Sequence, residues 1–318
     1  MRALVRRGGK VGLESIAAPR LGRDDDVLIQ VILAGICRTD VYVARGLLAV
    51  AEPRILGHEL VGVVVQAGAI SGFHPGERVT VIPTFACGAC AGCRAQGDCH
   101  DPLFLGVQRD GAFAERMVVP AKNLLRAPDR LSAERAAYTE PVAAALAVLD
   151  APLPRDGRGL VLGDNRIATL IMRILAAEGF VNFIQARADA PALDGAAFDC
   201  VIETEATAST LAAMVGLLKP HGLGVLKSRP SAAVPLDVTR AVKKNLRLHA
   251  VAYGSFERAI ALLDGGALDV DDLLGAAFPL EDFEAAFAQS EAAAAPKLFF
   301  TVAEARAPAA HRVEWATA

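Results

Sequence analysis

Short apolar runs broken by glycine turns dominate the first 150 residues: RALVRR (2–7), DDVLIQVILAG (25–35), GHELVGVVVQAG (57–68) and ERVTVIP (77–83). Their alternation and their valine and isoleucine content predict strands of a mostly antiparallel, barrel-like β domain carrying loops. Proline, glycine and charge cluster at APLPRDGRG (151–159), where the texture predicts a boundary. Beyond it the period changes. GLVLGDNRIATLIMRILAAEGF (159–180) reads as a buried strand, a tight glycine turn and a helix, the opening of a doubly wound parallel α/β sheet. FDCVIET, GLGVLKS and NLRLHAVA predict further strands, with TLAAMVGLLKPHG and SFERAIALLDGG as helices between them. PLEDFEAAFAQSEAAAAPKLFFTV (279–302) predicts a helix and a strand that returns to the first domain. APAAHRVEWATA has no periodicity and predicts a loose tail.

Composition narrows the classes. At 318 residues the chain is long enough for two domains, and 53% hydrophobic content with 5% aromatic predicts aliphatic cores. A net charge of −3 offers no electrostatic footprint for nucleic acid or an anionic membrane. No run of about 18 apolar residues spans a bilayer, and MRALVRRGGKVGLES lacks the apolar core of a signal peptide. These features predict a cytoplasmic protein.

The chemistry concentrates in cysteine. CGACAGCRAQGDC carries Cys87, Cys90, Cys93 and Cys99 in two C-x2-C steps and one C-x5-C step. Four thiolates on one tight loop suit a structural zinc, with an iron–sulfur cluster or a disulfide knot as the competing readings. Gly97 would permit the turn, and His100 is an adjacent substitute ligand. Cys200, inside FDCVIE, reads as a small buried thiol.

Upstream and downstream of that lobe stand GICRTD (35–40), GHE (57–59) and TEP (139–141). Each has an ordinary reading: His58 as a core histidine, Glu59 as a solvated charge, Thr39–Asp40 as a helix cap, Glu140 as a turn before proline. Taken in order with the cysteine lobe, they resemble the zinc-containing medium-chain dehydrogenases/reductases. The likeness runs from about Leu4 to Val302, and the glutamate at the third position points to the polyol and threonine branches. The resemblance implies a GroES-like β-barrel domain over 1–152, onto which 280–304 packs back. A truncated Rossmann-like doubly wound parallel sheet follows over 153–279, then a tail over 305–318. It implies a catalytic zinc on Cys37, His58 and Glu140, with Glu59 beneath the metal as an exchanging ligand. Asp40 would orient His58, and Thr39 would pass the substrate proton outward. It also implies NAD or NADP, a small-molecule substrate, and a homodimer or higher homo-oligomer joined along NLRLHAVA (245–252).

The second half departs from the family pattern. The phosphate turn reads Gly163-Asp164-Asn165-Arg166-Ile167-Ala168 in place of G-x-G-x-x-G. Gly163 is kept and Ala168 is a mild change, whereas the Asn165 side chain stands where a phosphate approaches, and Arg166 adds charge. Only the 19 residues 180–198 separate Gly179 from Asp199, too few for the strand–helix–strand–helix passage, which takes well over about 30. An outer strand is therefore expected to be missing. Arg187 stands near the place of the family's ribose-binding acid, suiting a 2′-phosphate or simply solvent. Three functions follow from these residues: a zinc-dependent alcohol or polyol oxidoreductase using NAD(P); a zinc lyase, cyclase or isomerase without hydride transfer; and a non-catalytic relic.

Overall fold

β-branched and other aliphatic residues fill both faces of the Asp26–Gly35 strand, and that strand lies at the centre of the first sheet. Glu59–Ala67 pairs antiparallel along one edge. On the other edge, Arg116–Pro120 covers residues 26–30 and Lys297–Thr301 covers Leu33–Gly35. Arg78–Val81, Leu124–Arg126 and Leu274–Pro279 complete seven strands. In this computed structural model the described residues are 1–96, 99–193, 197–292 and 295–303. Gly97 and the tail 305–318 lie outside them.

The chain thus returns to its first sheet near its end, through Leu274–Pro279 as well as Lys297–Thr301, which pair parallel to each other. Phe299 and Phe300 are fully buried there. Phe300 meets Phe113 edge-on at 4.8 Å between ring centroids, a favoured aromatic geometry.

The second sheet is wholly parallel, in the order Phe183–Ala186, Gly159–Leu162, Phe198–Glu203, Leu218–Leu226, Arg247–Ala250. Central strands such as GLVL are apolar throughout because helices cover both faces. The Arg166–Ala177 helix buries Ala168, Ile171, Ile174 and Leu175 on one stripe. Between Ala186 and Phe198 the described chain forms no strand, only a short 3-10 turn at Pro191–Leu193. Phe183–Ala186 is therefore an edge, as the short spacing predicts.

The two sheets share a core. Leu33 and Val61 of the first pack in one cluster with Val142, Leu146, Val161 and Ile171. The Thr139–Leu146 helix lies in that seam, and Pro141 occupies its first turn, where a missing N–H costs no helical bond. Among the described residues no helix is long and apolar enough to cross a membrane.

Candidate functional site

The site assembles where the Asp26–Gly35 and Glu59–Ala67 strands meet. Gly35 and Glu59 are direct cross-strand partners. A Cβ on Gly35 would stand 2.3 Å from Glu59 Oε2, so the absence of a side chain makes room for that carboxylate. Cys37 follows at the N-cap of the Arg38–Ala44 helix. Asp40, buried in the first turn, accepts the Cys37 amide at 2.9 Å through Oδ2 and the Gly57 amide at 3.0 Å through Oδ1. Asp40 thus serves as the cap of that helix. Its Oδ1 also lies 3.4 Å from His58 Nδ1, leaving Nε2 to face the other donors.

Cys37 Sγ, a His58 nitrogen and a Glu59 oxygen fall within 4.8 Å of one another. A thiolate, an imidazole and a carboxylate in that space suit a zinc ion. Burial opposes charge on His58, but Asp40 and Cys37 together hold its pKa well above the ordinary range. Two buried polar atoms here, His58 Nδ1 and Glu59 Oε2, have no hydrogen-bond partner among the described residues. Such orphans are costly unless something charged completes them; a cation among the donors would complete Glu59 Oε2, while His58 Nδ1 faces the Asp40 carboxylate.

Glu140 stands at the rim of this donor set. Its Oε1 stands 4.0 Å from His58 Nε2, yet it accepts the Tyr253 hydroxyl and lies outside the three-donor cluster. Burial, and then the Glu59 charge, raise its pKa. Glu59 takes the inner position, held by a 2.6 Å ion pair to Lys297, both side chains almost wholly buried. Thr39 sits beside the cluster, with its Oγ1 4.0 Å from Cys37 Sγ. Phe104 walls the site, 4.9 Å from His58 between ring centroids, and Tyr253 stacks on Phe104 at 6.5 Å.

The four-cysteine lobe forms a second donor set, with Cys87, Cys90, Cys93 and Cys99 sulfurs within 4.8 Å of one another. All six cysteines are free thiols, which excludes the disulfide knot. Amides of Cys99's neighbour His100 and of Cys93 both donate to Cys90 Sγ, at 3.4 and 3.3 Å. Those bonds, Cys93's first, pull the Cys90 thiol down to about 6, favouring the thiolate a metal needs. Cys200 is buried, and burial pushes its thiol up to about 12.

At the parallel sheet, Gly163 has φ +144°, and a Cβ there would meet Thr204 Oγ1 at 2.1 Å. Asn165 is the N-cap of the following helix: its Oδ1 accepts the Ala168 amide at 3.1 Å, and its Nδ2 donates to Thr204. The side chain thus folds into the cap. The Arg166 and Ile167 amides, at the start of the helix, have no intrahelical acceptor and suit an anion such as a pyrophosphate. Arg166 sends its guanidinium to the Ala295 carbonyl, and Arg187 pairs with Asp189 at 3.0 Å. Glu203 is buried, accepting the Lys227 and Ser228 amides at 2.7 and 2.8 Å, whereas Glu205 is exposed.

Residues 23–129 match the alcohol dehydrogenase GroES-like domain family. L-threonine 3-dehydrogenase of Paraburkholderia phytofirmans is 27% identical, over 91% of this chain and 95% of its own. The 2-dehydro-3-deoxy-L-galactonate 5-dehydrogenase of Pseudoalteromonas atlantica is also 27% identical, over 86% and 89%. A structure described as a zinc-binding dehydrogenase of Sinorhizobium meliloti 1021, bound to NADP, superposes with a TM-score of 0.84. It is 25% identical, over 94% of this chain and 98% of its own. Residues 23–129 thus carry that GroES-like domain, and along most of its length the chain is similar to these dehydrogenases. The donor sets above fit zinc, and the glycine turn with its two open amides fits a dinucleotide.

Three residues around this site escaped the motif reading. Lys297 is a lone charge at the start of the apolar strand KLFFT, and that isolation was its signal. Lys227 and Tyr253 end separate parallel strands and belong to no motif. Only the chain's path brings them beside Glu140.

Proposed function

We propose that the protein oxidises small alcohols or polyols, or reduces the matching carbonyls. The convergence of Cys37, His58 and Glu59, with Glu140 at 4.0 Å from His58, carries this reading. When bound, zinc supplies Lewis acidity toward a substrate oxygen and NAD(P) supplies hydride exchange. Cys37, His58, Glu59 and Glu140 hold the zinc, and Asp40 braces His58. Thr39 takes the hydroxyl proton and passes it outward. The Arg166 and Ile167 amides hold the dinucleotide phosphates, with Gly163 and Ala168 keeping the turn close. Arg187 faces the 2′-position once released from Asp189, and Cys87, Cys90, Cys93 and Cys99 hold a structural zinc.

We place this reaction in the cytoplasm, in keeping with the free thiols, and in a homodimer. Support for the dimer comes from the Arg247–Ala250 edge strand, where Leu248 is exposed, and from the Val238–Lys243 helix before it, which exposes Val238 and Val242. Light scattering that returns a monomer would rule the dimer out. For the reaction, zinc-loaded protein is titrated with NADH and NADPH, then screened for turnover of alcohols and polyols. Binding of one cofactor, and loss of turnover in Cys37→Ser, is the expected result. Absence of binding by both cofactors would defeat the oxidoreductase reading.

A further inference from the structure

Beside the metal donors stand two cations, Lys227 and Arg229, that form no ion pair with a carboxylate among the described residues. The Leu218–Leu226 strand ends in Lys227-Ser228-Arg229. Glu203 spends its carboxylate on the backbone amides of Lys227 and Ser228 and on the Ser228 hydroxyl. It therefore fixes the chain there without reaching the lysine amine. Lys227 is 8% exposed, and its Nζ makes one hydrogen bond among the described residues, to the Ala252 carbonyl at 3.2 Å. An ammonium has three donors, so two remain open. Burial, and then Arg229, lower its pKa to about 8, while Glu140, Glu203 and Cys37 pull the other way. Two members of the metal site thus lie within its electrostatic reach.

Arg229 adds the second charge. Its guanidinium lies over the Tyr253 ring at 4.9 Å and the Phe104 ring at 5.5 Å. Those rings are the wall of the metal site: Phe104 packs on His58, and Tyr253 donates to Glu140. Arg229 meets no carboxylate among the described residues, whereas Arg173 pairs with Asp272 and Arg135 with both Asp269 and Asp271. A stacked guanidinium is pre-organised, and its fork matches carboxylate or phosphate oxygens. An ammonium buried with open donors is costly unless an anion completes it.

We propose that Lys227 and Arg229 bind an anionic group of the substrate while its hydroxyl or carbonyl oxygen meets the metal donors. The substrate class is then a small hydroxy- or oxo-compound bearing a carboxylate or a phosphate ester. This rests on the reading of Cys37, His58 and Glu59 as the place of the reacting oxygen. The polarity also disfavours a substrate ammonium beside Lys227.

The test reads binding rather than turnover, so that it stands apart from failure of the redox reading. Zinc-loaded protein is titrated by calorimetry with 3-hydroxybutyrate against 1,3-butanediol, and with glycerol 3-phosphate against glycerol. The anionic member of one pair is expected to bind at least about tenfold more tightly, the scale of one charge-assisted hydrogen bond. Whichever pair shows the preference identifies carboxylate or phosphate as the group. Lys227→Met and the exposed Arg229→Gln should each remove most of that preference and leave the neutral member unchanged. Arg229→Gln serves as the second variant should Lys227→Met fail to fold. The inference is overturned if neither anion is preferred over its neutral partner, absence of measurable binding included. It is overturned equally if Arg229→Gln weakens anionic and neutral members alike. Selective anion binding without any NAD(P) turnover would keep this inference and reject the oxidoreductase.

Discussion

Lys297→Met isolates the electrostatics of the metal site. The Lys297–Glu59 pair is 2.6 Å long with side chains 4% and 1% exposed, and Lys297 Nζ also donates to the Ile36 carbonyl at 3.1 Å. At an effective dielectric of about 20, two charges at that distance attract by about 6 kcal/mol, most of it offset by desolvation. Removing one partner is a different matter, because the other charge stays buried, at a cost of about 3–5 kcal/mol. With a slope of about 3 kcal/mol/M, the urea midpoint of the zinc-stripped variant should fall by about 1 M or more. Zinc at Cys37, His58 and Glu59 would neutralise the stranded carboxylate, so the loss should shrink on metal loading. Urea unfolding of both proteins, stripped and loaded, provides the measurement. A midpoint shift below about 0.3 M in the stripped protein, or an equal loss with and without zinc, would refute the reasoning.

Other perturbations are more local. Cys87→Ser should lower bound zinc from about two ions per chain to about one by elemental analysis, whereas an unchanged count would place the second ion elsewhere. Asp40→Asn should move the His58 titration midpoint of the stripped protein downward, because it removes a charge that raises it. Proton NMR reads that midpoint directly, and zinc affinity should drop about 10–100-fold alongside. Gly163→Ala should cost about 1–3 kcal/mol in chemical denaturation, since its Cβ would meet Thr204 Oγ1 at 2.1 Å with φ at +144°. A neutral result there would mean that the turn yields easily.

Much of the architecture was legible because it is written in local periodicity. The valine- and isoleucine-rich runs marked the first sheet, and the apolar GLVL followed by a glycine turn marked the second. The place of Phe183–Ala186 at the sheet edge was legible from spacing alone. Cys37 and His58 could be named because both sit in short motifs at strand ends. The exchange of prominence between Glu59 and Glu140 could not. It depends on Gly35 leaving room for one carboxylate, and on Tyr253, 113 residues away, capturing the other. Asn165 was read as an obstacle to phosphate, because nothing in sequence tells whether such a side chain points outward or folds into its own helix cap. Lys297 and Lys227 acquire meaning only through pairings that cross the whole chain.

The counter-charge to Glu59 arrives from a strand made some 238 positions later. During synthesis the segment holding Cys37, His58 and Glu59 emerges well before its cation, since N-terminal parts of a chain form first. A growing polypeptide stopped short of position 297 would carry the Glu59 carboxylate without its lysine partner. Such a product would favour unfolding or premature metal capture over a finished enzyme. Closure of this centre is thereby tied to translation at least as far as Lys297.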